Sequence, residues 1–240
     1  MSLNAFVASL AGAIKTKTSL PKFPSGITVT EAYSLIPQLM EHVSAEGAAG
    51  LKAGITNKDL QALFGLDEPL LGLLYQHSET ANKSTLSHTH SRRIECELGI
   101  RLNADGSAIS IGPAVELIHL DFCQPEDMTP GNVTLCNLGA DQFILGEMNA
   151  WESFDFNALA DIEITLKRDG KVVLSASPLD SFGGPEAALA WCISKAKTVG
   201  FAIPQEGVLL TGTNGAAMEA DPGHYEASYG PLGTIEFIIE

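Results

Sequence analysis

Arg93-Ile94-Glu95-Cys96-Glu97-Leu98-Gly99-Ile100 alternates its side chains with a period of two, the pattern of a strand with one face in a core. Ile94, Cys96, Leu98 and Ile100 fall on one face; Glu95, Glu97 and Gly99 fall on the other. Two carboxylates thus point the same way, about 7 Å apart at their origins by the strand rise, close enough to converge on one cation. A lone Glu-x-Glu more often marks a solvated sheet face, because glutamate is mostly exposed. A third acid, Glu116, stands in the apolar strand Pro113-Ala114-Val115-Glu116-Leu117-Ile118, where a buried charge needs a partner; the plainer alternative is an edge-strand glutamate. Three carboxylates aimed at one point make an all-oxygen site, suited to Mg²⁺ or Mn²⁺ rather than to zinc.

Outward from this stretch, further strands are expected near 114–120, 141–146, 161–167, 171–176, 207–211, 224–229 and 233–239, each rich in Ile, Val, Leu or Phe and bounded by Gly, Asp or Pro. Arg168-Asp169-Gly170-Lys171 predicts a hairpin with a type I′ turn. A helix runs from Pro185 to Gly200, which stand at the favoured first and just-past-last positions. The first 65 residues read as helices: Asn4 to Thr16, Thr30 to Ala45 with Pro37 kinking it, and Lys58 to Phe64 between an Asn57 N-cap and a Gly65 stop. The expected fold class is α+β. Residues 1–75 form an N-terminal helical cap and 76–240 a β-rich body, two parts that can count as a single domain. The polar stretch 76–92, QHSETANKSTLSHTHSR, reads as a loop or lid between them.

Fourteen basic against 29 acidic residues give a formal charge of −15, which repels nucleic-acid phosphates and anionic lipid surfaces alike. Neither is an expected partner. An acidic protein with an acidic substrate must concentrate positive charge locally, which a bound cation would do. Cys96, Cys123, Cys136 and Cys192 form no Cys-x-x-Cys pair and are too few to staple a chain of 240 residues, so a reducing compartment fits. The opening MSLNAFVASLAGAIKTKT lacks a basic leader region, and Lys15 and Lys17 interrupt it too soon for a membrane span. It reads as an amphipathic helix of a cytoplasmic protein.

Lys52 lies among apolar and glycine residues in Gly50-Leu51-Lys52-Ala53-Gly54-Ile55-Thr56-Asn57. A lysine near a desolvated site can act as an acid or base, although most lysines are surface lysines. Thr211-Gly212-Thr213-Asn214-Gly215 follows an apolar strand; such a loop presents backbone N–H groups able to hold a carboxylate, or is an ordinary turn. His88-Thr89-His90 has no third ligand at fixed spacing and reads as a polar loop rather than a zinc site. No Gly-x-Ser-x-Gly elbow, P-loop or GxGxxG occurs, so the hydrolase-elbow, NTPase and dinucleotide readings lack support.

Taken in order, these pieces resemble the 2-oxopent-4-enoate hydratase and 4-oxalocrotonate decarboxylase family of the fumarylacetoacetate hydrolase superfamily, from about residue 28 to the C-terminus. The blocks are Gly50-Leu51-Lys52-Ala53-Gly54-Ile55-Thr56, Leu60-Gln61, Phe64-Gly65-Leu66-Asp67-Glu68-Pro69 with Gly72, Arg93-Ile94-Glu95-Cys96-Glu97, Pro113-Ala114-Val115-Glu116, Gly184-Pro185, Val208-Leu209-Leu210-Thr211-Gly212-Thr213 and Gly230-Pro231-Leu232-Gly233-Thr234-Ile235. The resemblance implies a mixed β-roll with a helical cap, a divalent metal on Glu95, Glu97 and Glu116, active-site roles for Lys52 and Asp67, a substrate-lining loop at Thr211, Gly212 and Thr213, and a homo-oligomer. It implies a small 2-oxo or 2-enol acid as substrate.

The chain departs from the family pattern at Leu70 and Leu71, where Asp-Phe is common, at Leu120 and Asp121, where Ser-Arg often stands, and in a shortened span between Glu97 and Glu116. The metal ligands are untouched. The leucine pair suggests an apolar far end to the pocket, so hydration of a 2-hydroxy-2,4-dienoate is the leading expectation. A 4-oxalocrotonate-type decarboxylase would need an extra cation such as Arg92, Arg93 or Arg101. An acylpyruvate hydrolase would need a water-activating group such as His88 or His90, and a non-catalytic homologue is the remaining alternative.

Overall fold

The computed structural model describes residues 2–240. The chain begins with two helices, α1 (Leu3–Thr16) and α2 (Val29–Val43). There follow β1 (Ala48–Gly54), α3 (Lys58–Phe64), β2 (Leu70–Tyr75) and the short strands β3 (Glu79–Thr80) and β4 (Thr85–Leu86). The long hairpin β5 (Arg92–Leu102) and β6 (Ala108–His119) leads to α4 (Pro130–Leu135), β7 (Ala140–Leu145) and β8 (Asn149–Ala150). The last third comprises β9 (Ile164–Arg168), β10 (Lys171–Ala176), α5 (Pro185–Val199), β11 (Gly207–Leu210), β12 (Met218–Glu219), β13 (Gly223–Ser228) and β14 (Thr234–Ile239).

Nine strands form a large sheet in the order β2-β1-β11-β5-β6-β7-β3, with β12 added to β5 and β8 to β6. Four strands separate Leu74 of β2 from Phe143 of β7 in that ladder, yet both belong to one small buried cluster with Ala114, Val208 and Leu210. The sheet therefore curls into a roll whose interior these side chains fill. Its outer face packs on a second sheet, β10-β9-β13-β14-β4. Between the two sheets lies the main core, where Ile94, Cys96, Leu98 and Ile100 of β5 meet Ile164, Leu166, Tyr225, Ala227, Ile235 and Phe237. Phe6, Leu10, Ile36 and Leu39 of the first two helices and Cys192 and Ala196 of α5 extend the same core. Burying a side chain of the Ile or Leu kind contributes roughly 1.5–3 kcal/mol. That gain fixes which face of β5 turns outward and leaves Glu95 and Glu97 facing into the roll.

Several local expectations agree with the structure. Asp169 and Gly170 both have positive φ (51° and 77°), as a type I′ turn requires. Asn57 caps α3 through bonds to the amides of Asp59 and Leu60, and Gly65 ends it in the left-handed region. The helix expected from Thr30 begins one residue earlier, at Val29, behind a reciprocal capping box of Thr28 and Glu31, and it runs through Pro37.

Other expectations need correction. The first 65 residues are not wholly helical: β1, and β2 just beyond, belong to the large sheet. Both strands are covered on two faces, so neither shows the alternation that marks a half-buried strand. The stretch 76–92 is no free lid. Its β3 pairs with β7 and its β4 with β14, so it fastens the two sheets together. β6 begins six residues earlier than expected, because a tight turn from Asn103 to Ser107 joins it directly to β5.

Candidate metal centre

The hairpin sets the site. In its antiparallel register Glu95 lies directly opposite Glu116, and Glu97 lies one rung further in, opposite Ala114. One carboxylate oxygen from each of Glu95, Glu97 and Glu116 lies within 4.8 Å of the others. Glu97 is 0% and Glu116 1% exposed, so the solvated-face and edge-strand alternatives fail for these two residues. Glu95 is half-buried.

Lys52 reaches the cluster from β1, which is joined to β5 through β11. It is 1% exposed, and its Nζ pairs with Glu116 Oε1 and donates to the Leu138 carbonyl at 3.2 Å. Its ladder neighbour Gly72 leaves room for the stem: a Cβ there would stand 3.0 Å from Lys52 Cγ. Asn137, Leu138 and Gly139 have φ of 53°, 54° and 71°, a left-handed turn that is unfavourable for residues with a Cβ. Asn137 holds that turn in place, accepting from the Leu73 amide and donating to the Leu73 carbonyl, each at 2.7 Å. The strain is thus fixed by β2 and places one carbonyl against the lysine.

Glu97 is held from two further elements. The Gly212 amide donates to its Oε2 at 2.6 Å, and its own amide donates to Tyr229 Oη at 3.2 Å. The Tyr229 hydroxyl in turn donates to the Ala114 carbonyl, tying β5 to β6 beneath the acids. Gly212 has φ +96°, and a Cβ there would collide with Thr56 and Ser181. Only glycine brings that amide to the carboxylate.

Two buried oxygens, Glu97 Oε1 and Glu116 Oε2, have no hydrogen-bond partner. Burial pushes the Glu97 carboxyl well above its ordinary value, and the charges of Glu116 and Glu95 add to the shift. Burial also raises Glu116, to about 7, against the opposing pull of the Lys52 charge. When ionised, three carboxylates beside one ammonium leave two uncompensated negative charges in a dry site, and such a site is costly. A divalent cation would offset that charge, and the donor set would suit Mg²⁺ or Mn²⁺.

The remaining sequence candidates divide. The Thr211 hydroxyl is buried and engaged with Leu98, accepting from its amide (3.3 Å) and donating to its carbonyl (3.0 Å). Thr213 is half-buried in the same loop. Asp67 is exposed and forms no bond to the cluster; it lines a cavity of about 420 Å³ that includes Thr56, whose methyl group packs on Gly212. His88 and His90 border a different cavity, of about 600 Å³, and belong to no metal-binding group among the described residues. Leu70 packs with Val133 and Leu138 near the lysine, whereas Leu71 turns into the main core, its amide bonded to the Tyr33 hydroxyl at 2.9 Å. Asp121 accepts from Ser19 (2.5 Å) and Ser91 (3.0 Å), stitching the chain after α1 to the loop before β5. Tyr229, Asn137 and Leu138 were not singled out in the sequence; no local pattern marks them, since their partners lie far along the chain.

No family model matches the chain. Its fold is similar to that of 4-oxalocrotonate decarboxylase from Pseudomonas putida G7 complexed with magnesium and adipate, with a TM-score of 0.87, 21% identity and coverage of 99% of this chain and 97% of that one. The same enzyme complexed with calcium and acetate gives a TM-score of 0.83 at 21% identity, covering 100% and 99%. Fumarylpyruvate hydrolase from Pseudomonas aeruginosa in complex with Mn²⁺ and pyruvate gives 0.58 at 13% identity, covering 79% and 88%. The mixed β-roll expected from the resemblance is the fold found.

Proposed function

We propose that this chain is an enzyme that holds one divalent cation, Mg²⁺ or Mn²⁺, on Glu95, Glu97 and Glu116 and acts on a small 2-oxo or 2-enol acid. The observation that carries the reading is the buried carboxylate cluster with two unpartnered oxygens and a single lysine. The likeness over nearly the whole chain to a decarboxylase complexed with magnesium and adipate supports it.

A cation bound there supplies stabilisation for negative charge that builds on the 2-oxo oxygen of a chelated acid. The chain's own groups do the rest. Lys52, held by the Leu138 carbonyl, offsets the arriving carboxylate and stands ready to give or take a proton at Nζ. Gly212 and Tyr229 keep Glu97 from turning away, and the Thr211 bonds to Leu98 keep that loop in register. Leu70, Val133 and Leu138 exclude water beside the lysine. Asp67 meets the substrate from the Thr56 cavity that it lines, and Thr213 from the loop that carries Gly212.

Hydration and decarboxylation share this beginning. Hydration adds water across the remaining double bond of a 2-hydroxydienoate, and decarboxylation passes the electron pair released with CO₂ to the same oxygen. The leucine pair favours hydration, but only Leu70 of the two faces the site. The likeness at TM-score 0.87 favours decarboxylation as the second reading. We further propose a homo-oligomer, checked by light scattering, and a reducing compartment such as the cytoplasm, consistent with four free cysteines.

The metal is tested by thermal unfolding. Mg²⁺ at a hundred times its dissociation constant should stabilise the folded protein by about 2.7 kcal/mol, and Glu95→Ala or Glu116→Ala should abolish the gain. An unchanged wild-type midpoint at millimolar metal removes the site. Loss of ultraviolet absorbance from conjugated 2-hydroxydienoates, followed with CO₂ release, separates the two reactions. Metal binding without turnover across that panel would instead identify a non-catalytic homologue.

A further inference from the structure

The helix α3 packs in the reverse of the ordinary sense. Its leucines Leu60 and Leu63 are 46% and 79% exposed, whereas its buried residue, Gln61, is 2% exposed. An amide is buried only where hydrogen bonds replace those to water. Gln61 has them: Nε2 donates to the carbonyls of Ile55 (2.8 Å) and Thr56 (3.2 Å), and Oε1 accepts from Lys58 Nζ at 3.1 Å. A lysine only donates, so Lys58 turns the amide nitrogen toward the two carbonyls.

Those carbonyls belong to a strained turn. Ile55 has φ 53°, a conformation that a β-branched residue rarely adopts and keeps only where its surroundings hold it. Glycine would relieve the strain, but the isoleucine side chain packs on the cluster of Leu70, Val133 and Leu138. The Gln61 amide clamps the turn instead. The turn sets Thr56 against Gly212: a Cβ on Gly212 would lie 2.5 Å from Thr56 Cγ2 and, on another side, 2.8 Å from Ser181 Oγ. Ser181 is itself fixed, donating to the Thr211 carbonyl at 2.7 Å. Gly212 is thus gripped between two side chains while its amide donates to Glu97 Oε2 at 2.6 Å.

We propose that Gln61 is a positioning residue of the site: by holding the Ile55-Thr56 turn it keeps Thr56 against Gly212, and so keeps the Gly212 amide on Glu97 and that carboxylate aimed at the cation. The inference rests on the metal reading for its last step alone, because the path from Gln61 to the Glu97 carboxylate consists of protein contacts. Gln61 makes no bond to the three acids; it acts through Thr56 and Gly212.

The test compares Gln61→Met, which keeps the length of the side chain and removes the amide, with the double variant Gln61→Met/Ile55→Gly, in which position 55 takes its positive φ without a clamp. In metal-free protein labelled with ¹⁵N-glycine, the short charge-assisted bond gives the Gly212 amide a downfield proton resonance. Gln61→Met should move that resonance upfield, and the Mg²⁺ affinity read by calorimetric titration should fall about tenfold. Adding Ile55→Gly should bring back part of both. Wild-type Mg²⁺ affinity in Gln61→Met overturns the proposal, whatever happens to the metal-free unfolding midpoint, because the residue would then serve stability alone. A double variant no better than the single one overturns it as well. If the wild-type protein fails to bind Mg²⁺ while the Gly212 resonance moves in Gln61→Met and returns with Ile55→Gly, the positioning of Glu97 holds and the metal reading falls.

Discussion

Glu116 shows how burial and charge set opposing demands at a single residue. Its carboxyl stands at about 7 in the folded protein against an ordinary 4.5, because burial outweighs the pull of Lys52. Between those values the metal-free folded state binds a proton that the unfolded chain has released. Its contribution to stability is therefore intact below about pH 4.5 and lost as pH rises through 7; the upward shift of Glu97 acts in the same direction. Metal requires the ionised ligands, so Mg²⁺ affinity should climb over the same window. Urea midpoints at about pH 5.5 and 8, with chelator and with Mg²⁺, check both signs. Glu116→Gln should flatten the metal-free dependence, and an unaltered slope would show that another group is responsible. Lys52→Met should leave the Mg²⁺-induced rise in midpoint in place and lower turnover by about a hundredfold or more. Retained turnover would remove its role in proton transfer.

At the scale of elements, the sequence revealed the strands whose two faces differ and hid those whose faces are alike. β5 was legible because Ile94, Cys96, Leu98 and Ile100 enter the main core while Glu95 and Glu97 do not. In β2, Leu-Leu-Gly-Leu-Leu-Tyr is buried throughout, so its apolar run carries no period. β1 is masked by small residues, Gly50 among them, whose absent side chain lets the parallel strand β11 approach. The glutamates and the lysine were candidates in their own segments beside the solvated-face, edge-strand and surface readings, and the ordered blocks of the resemblance favoured them, but the contacts that aim them were not legible. Tyr229 reaches Glu97 across 132 positions and Leu138 reaches Lys52 across 86, and such long-range contacts leave no local pattern. Asn137 makes this testable. Asn137→Ala deletes both bonds to Leu73 and should cost about 2–3 kcal/mol in chemical denaturation. Turnover should fall with it while the Mg²⁺-induced rise in midpoint stays, since the left-handed turn would no longer hold the Leu138 carbonyl against Lys52; unchanged turnover would mean that Lys52 is positioned without that turn.

For the molecule as a whole, the two sheets enclose most of what is reactive. Cys96, Cys136 and Cys192 are buried and Cys123 is exposed; burial pushes the Cys96 thiol up to about 12 and the other two buried thiols higher still. A colorimetric thiol reagent should modify Cys123 alone in the native protein and all four cysteines after denaturation. Rapid labelling of a second thiol would show that the core opens. The hairpin that carries all three glutamates also bears on the order of events in time. β5 and β6 are joined by a short turn, and hairpins of this kind close in about 1–10 µs. Lys52 and Gly212 arrive only when β1 and β11 dock across far longer separations, which is slower. The three glutamates would therefore be gathered before the roll shuts, and a cation captured by the young hairpin would serve as a folding nucleus. In stopped-flow refolding Mg²⁺ should then quicken folding as well as slow unfolding. A folding rate indifferent to Mg²⁺ would place assembly of the three acids after the barrier.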